Sequence, residues 1–140
     1  MARDEYLKHL AAVPLFSRCS KAQLQEIGRV ADELTVKAGT VLTRQGDVGR
    51  ELFVIVAGTA TVTRDGQPIA TIGPGGFVGE LAVIAHVPRN ATVTAETDLD
   101  LLVLMPNGLS QLLDDVPGLA KHLLYETVSR LAPNVTDPWA

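Results

Sequence analysis

The chain contains a single cysteine, Cys19, so no internal disulfide can form and no cysteine-based metal site can be spelled out. That usage fits a reducing cytosol. Cys19 lies beside Arg18 and near Lys21, which would favour a thiolate, but a buried or idle thiol is the plainer reading. The three histidines, His9, His86 and His122, are scattered and give no metal-ligand spacing. No basic excess exists. Twelve Lys and Arg stand against sixteen Asp and Glu, for a net charge of −4. The chain therefore offers a nucleic-acid duplex or an anionic membrane no general electrostatic footprint. No apolar run reaches the ~18–20 residues that a membrane helix needs. Arg3, Asp4, Glu5 and Lys8 put both signs of charge near the N-terminus, against a secretory signal. Asn134-Val135-Thr136 spells a glycosylation acceptor that carries no weight without such a signal. What remains is 140 residues, 46% apolar and 20% charged, the size and composition of one globular domain.

Three regions follow one another. Residues 3–31 read as helical. Ser20 with Gln23 forms a capping-box pattern, after which Leu24, Ile27 and Ala31 recur on one face. Pro14, Leu15 and Phe16 separate this helix from an opening segment that carries Leu7, Leu10 and Ala11. Residues 33–105 switch to period two, as in Ala60 and Val62 among Thr59, Thr61 and Thr63, or Leu99, Leu101 and Val103 past Asp98 and Asp100. Leu52-Phe53-Val54-Ile55-Val56 is apolar throughout, as expected of a strand buried on both faces. Asp65-Gly66 predicts a hairpin between Thr61–Arg64 and Gln67–Ile72. Many short strands between regular glycines indicate a sandwich or barrel. The expected fold is α+β but mainly β: a double-stranded β-helix or jelly-roll barrel, flanked by N-terminal helices and two C-terminal helices. The latter occupy 106–132, with Pro106 and Pro117 each placed in a first turn. Ala120, Leu123, Leu124, Thr127, Val128 and Leu131 are expected to form one apolar stripe. A tail, 133–140, completes a single 1–140 domain.

The chemistry concentrates at 76–93. Gly79 permits close backbone approach to a ligand. Glu80-Leu81-Ala82-Val83-Ile84 has room for one helical turn, whose first free amides would face an anion. Arg89 brings a forked cation suited to phosphate. Glu80 repels a phosphate but accepts a hydroxyl proton, such as a ribose hydroxyl. Phosphate beside a sugar hydroxyl describes a nucleotide. On these residues alone an alternative stays open, in which Gly73–Gly79 is a connection and Glu80 and Arg89 form a structural ion pair.

Gly46-Asp47, Phe53-Val54-Ile55, Gly58, Phe77-Val78-Gly79-Glu80-Leu81-Ala82 and Pro88-Arg89-Asn90-Ala91-Thr92-Val93 together resemble the cyclic nucleotide-binding domains. These occur in catabolite-activator-type transcription factors, cAMP-dependent protein kinase regulatory subunits and nucleotide-gated channels. The last two blocks are similar to the family's phosphate-binding cassette. The resemblance implies that Glu80 accepts the ribose 2′-hydroxyl, that Arg89 pairs with the cyclic phosphate, and that amides around Leu81 and Ala82 bind the phosphate. It implies that Asn90 reaches phosphate or base. A Thr there is associated with guanine preference, so Asn90 leaves the base open.

The expected ligand-binding set is thus Gly79, Glu80, Leu81, Ala82, Arg89 and Asn90, with cAMP or else cGMP as ligand. No catalytic residue, metal or cofactor is expected, and the chain is not expected to be an enzyme. Ligand would move the C-terminal helices, which signal to a separate, unidentified protein partner in the cytoplasm. Tyr125 and His122 are candidates to touch the base, with packing the plainer role. Seven residues after Pro133 leave no room for a DNA reader, and neither direct DNA binding nor membrane insertion is expected. The competing expectation is a ligand-independent interaction subunit that keeps the β-roll.

Overall fold

The computed structural model describes residues 3–79 and 87–131, with side chains from 6 to 79 and from 87 to 129. Glu80, Leu81 and Ala82 therefore lie outside the described residues, as does the tail. Helix α1 (Arg3–Ala12) leads through a 3-10 turn (Pro14–Phe16) into α2 (Lys21–Val30). The capping box forms in full: the Gln23 amide donates to Ser20 Oγ at 3.2 Å, and the Ser20 amide donates to Gln23 Oε1 at 2.8 Å. Leu24, Ile27 and Ala31 are all buried, as their spacing requires.

Eight strands follow: β1 (Asp32–Val36), β2 (Val41–Thr43), β3 (Leu52–Ala57), β4 (Ala60–Arg64), β5 (Gln67–Ile72), β6 (Phe77–Val78), β7 (Thr92–Ala95) and β8 (Leu99–Leu104). They form two four-stranded sheets, ordered β1-β8-β3-β6 and β2-β7-β4-β5, with every pair antiparallel. Among the described residues, no strand pairing closes the two sheets into one hydrogen-bonded barrel, so the expected roll is realised as a two-sheet sandwich. Asp65 at φ 53 and Gly66 at φ 77 make the two-residue turn between β4 and β5, where both positions need left-handed backbone.

The apolar run of β3 serves two cores. Phe53 and Ile55 meet Ala60, Val62, Val93 and Ala95 of the second sheet. Leu52 and Val54 turn the other way, against Leu10, Phe16, Ile27 and Leu112 of the helices. β8 divides likewise, with Leu99 and Leu101 between the sheets and Leu102 and Leu104 under the helices. The first sheet is thus covered on both faces, which is why its central strands cannot alternate with polar residues. β1 is an edge strand and leaves Leu34 43% exposed.

Two helices close the described chain, α3 (Pro106–Asp115) and α4 (Leu119–Leu131). Pro106 takes the first position of α3 as expected. Pro117 does not start α4. Pro117 and Gly118 form a turn, Gly118 adopts φ 84, and its carbonyl accepts from the His122 amide at 3.1 Å. The expected single stripe on α4 is also corrected. Leu119 and Leu123 are buried in the helical core, whereas Ala120, Leu124 and Val128 are exposed. α4 packs its Leu119–Leu123 face on the helical core, which turns the Ala120, Leu124 and Val128 face outward.

Candidate functional site

Residues 87–91 run into β7 and are pinned from both sides by backbone. The Arg89 amide donates to the Asp47 carbonyl at 2.9 Å, and the Gly46 amide donates to the Arg89 carbonyl at 2.8 Å. Thr43 Oγ1, buried, donates to the Ala91 carbonyl at 3.1 Å. The turn between β2 and β3 therefore fixes the place from which the Arg89 side chain departs.

That side chain is buried; Arg89 as a whole is 6% exposed, and Thr43 and Arg89 are the buried polar residues described. A guanidinium at such depth needs its donors occupied. Nη2 donates to the Glu51 carbonyl at 3.0 Å and to Glu51 Oε2 at 3.5 Å, and Nη1 donates to the Gly79 carbonyl at 3.4 Å. The Glu51 carboxylate, on a side chain 39% exposed, supplies countercharge. Two glycines make room. A Cβ on Gly49 would stand 2.5 Å from Arg89 Nε, and one on Gly79 would be closer still to Nη1. Gly79 is also left-handed, at φ 96, so both its conformation and its lack of a side chain are required. Arg89 thus occupies a slot flanked by Gly49 and Gly79.

The slot opens on a cleft of about 740 Å³, within the range of small-ligand sites. Its walls come from β4, β5, the Gly73–Gly76 turn, the start of β7 and α4. Gly79, Arg89 and Asn90, of the expected ligand set, all line it. Tyr125 and His122 are not among the lining residues; their neighbours Glu126 and Thr127 are. The Thr127 hydroxyl donates to the Leu123 carbonyl at 2.8 Å, which leaves it an acceptor toward the cleft.

The cyclic nucleotide-binding domain model matches residues 33–116, from β1 through the cassette to the end of α3. The chain belongs to the cyclic nucleotide-binding domain family. Across 131 residues it is 39% identical to a cyclic nucleotide-gated potassium channel of Rhizobium etli, covering 91% of this chain and 37% of the channel. Among solved structures, the Thermus thermophilus catabolite activator protein is similar with a TM-score of 0.77 at 26% identity, over 84% of this chain and 58% of that one. The regulatory domain of Toxoplasma gondii cAMP-dependent protein kinase, in complex with cAMP, is similar with a TM-score of 0.70 at 25% identity, over 92% of this chain and 51% of that one. The chain spans little more than a third of the channel's length. The family is regulatory and not catalytic. Among the described residues, no cluster of His, Cys, Asp or Glu is arranged to hold a metal, and no helix is long and apolar enough to cross a membrane.

Sequence reasoning missed Gly49, Glu51, Arg64 and Glu126, and read Thr127 only as part of an apolar stripe. Gly49 and Glu51 prove to touch Arg89, and Arg64, Glu126 and Thr127 to line the cleft.

Proposed function

We propose that this module is a receptor for a 3′,5′-cyclic nucleotide, cAMP or cGMP, whose cyclic phosphate is bound by Arg89 and whose ribose 2′-hydroxyl is accepted by Glu80. Amides around Leu81 and Ala82 complete the phosphate site, with Gly79 giving close approach and Asn90 beside it. The observation that carries this reading is a buried guanidinium held in a slot at the wall of a ligand-sized cleft. cAMP, the ligand of the Toxoplasma relative, is the first to test. Ligand acts by drawing α4, which contributes Glu126 and Thr127 to the cleft wall, toward a closed position. Binding shifts that equilibrium through its different affinity for the open and closed positions. The output passes to a separate protein partner, in a cytoplasm whose reducing chemistry suits the lone Cys19.

Thermal melts against a panel of cyclic nucleotides test the reading. A ligand at 100 times its Kd should stabilise the fold by ~2.7 kcal/mol. Arg89→Ala should lose ~1.5–3 kcal/mol of binding, about tenfold to a few hundredfold in Kd. Equal affinities would remove Arg89 from the site. A second reading, an interaction subunit indifferent to ligand, draws on the exposed Leu124 and Val128 of α4. A melt unmoved by every cyclic nucleotide, together with a stoichiometric co-purifying partner, would favour it.

A further inference from the structure

The phosphate and ribose are common to all 3′,5′-cyclic nucleotides, so choice of base must come from elsewhere in the cleft. Besides Arg89, the charged side chains that line it among the described residues are Arg64, the last residue of β4, and Glu126 on α4. Arg64 is exposed at the rim, and its Nε donates to the Asn90 carbonyl at 3.0 Å. That bond anchors the guanidinium while leaving the donors of its two terminal nitrogens for a ligand. Among the described residues, neither Arg64 nor Glu126 forms an ion pair. The cleft therefore carries a donor-only fork on one wall and an acceptor-only carboxylate on another, without countercharges of their own.

We propose that Arg64 and Glu126 read the base and select guanine, so that cGMP binds this module more tightly than cAMP. The proposal rests on the receptor reading above. Guanine presents O6 and N7 together as acceptors, a match for the forked donors of arginine. Adenine presents N7 beside an N6 amino group, and that amino group faces a guanidinium that cannot accept. On its other edge guanine offers N1–H and the 2-amino group, both donors to a carboxylate. Adenine offers there an N1 acceptor, which a carboxylate repels.

Calorimetric titration of the full chain with cGMP, cAMP and cyclic IMP tests this, on wild type, Arg64→Ala, Arg64→Lys and Glu126→Gln. Wild type should bind cGMP about tenfold more tightly than cAMP. Arg64→Ala should weaken cGMP by about tenfold and leave cAMP within about twofold. Arg64→Lys, which keeps the charge and loses the fork, should lose most of the same preference. Glu126→Gln should cost cGMP more than cyclic IMP, which lacks the 2-amino group. Wild type that binds cAMP as tightly as cGMP overturns the proposal and leaves the receptor reading intact. So does an Arg64→Ala variant that weakens both nucleotides equally, which would make Arg64 a second phosphate ligand. Binding of neither nucleotide overturns both.

Discussion

Replacing Gly49 by alanine probes the arginine slot without replacing any side chain that could meet the ligand. Gly49 lies outside the left-handed region, so alanine adds no backbone strain. Its Cβ would stand 2.5 Å from Nε, 2.7 Å from Nη2 and 2.9 Å from Cζ of Arg89. Non-bonded heavy atoms come to rest near ~3.5–4.0 Å, so the guanidinium must retreat by roughly 1 Å. Retreat would disturb the hydrogen bonds that the guanidinium donates to the Glu51 and Gly79 carbonyls. Arg89 is forced out of line with any phosphate it would bind. The loss of its charged hydrogen bonding should cost ~1.5–3 kcal/mol, tenfold to a few hundredfold in the Kd for a cyclic nucleotide. Because the effect travels through Arg89 alone, the double variant Gly49→Ala/Arg89→Ala should bind no worse than Arg89→Ala. Calorimetry on the four proteins closes the cycle. Wild-type affinity in Gly49→Ala, or losses that add in the double variant, would refute the slot.

Three further outcomes are expected. Gly58→Ala combines a φ of 93° with a Cβ that would collide with the Asp98 carbonyl oxygen, so urea unfolding should show a loss of about 1–3 kcal/mol. Ser20→Ala removes the side-chain half of an intact capping box and should cost ~0.5–2 kcal/mol in the same assay, with ligand affinity unchanged. Burial pushes the Cys19 thiol up from its ordinary value, so its alkylation by iodoacetamide at pH 8 should be slower than that of an unstructured peptide cysteine. An equal or faster rate would contradict that shift.

The period-two runs and the capping box were legible because each records a local rule that the fold obeys. The unbroken apolarity of Leu52–Val56 went further and disclosed that the first sheet is covered twice. α4 was misjudged for a definite reason. Pro117 suits a first helical turn equally as well as a preceding turn, and Gly118, free to adopt φ 84, settled the choice in favour of the turn. Arg89 stood out because a forked cation after a glycine-rich segment is a chemical pattern. Glu51 could not stand out, since its contact with Arg89 spans 38 residues and depends on where β3 begins relative to the β2–β3 turn. Arg64 and Glu126 come from elements with no sequence proximity at all, and only tertiary packing puts both on one cleft.

The cleft itself has a cause in residue size. Between the sheets, Phe53, Ile55, Leu99 and Leu101 fill the interior to completion. Beyond them Ala70, Gly73, Gly75, Gly76, Gly79 and Ala91 stand among the larger Val62, Ile69 and Ile72 on the cleft wall. The small residues cannot reach across, which helps to keep the hollow open. Gly75 could not enlarge in any case, since a Cβ there would stand 2.6 Å from Pro14 Cδ. Arg89 sits at the border between the filled and the empty region. Carrying a cation that far inward costs several kcal/mol of hydration, against which the Glu51 and Gly79 carbonyls and the Glu51 carboxylate act. An anion arriving in the hollow would meet a charge already stripped of water and already oriented, the condition under which a single charged contact is strongest.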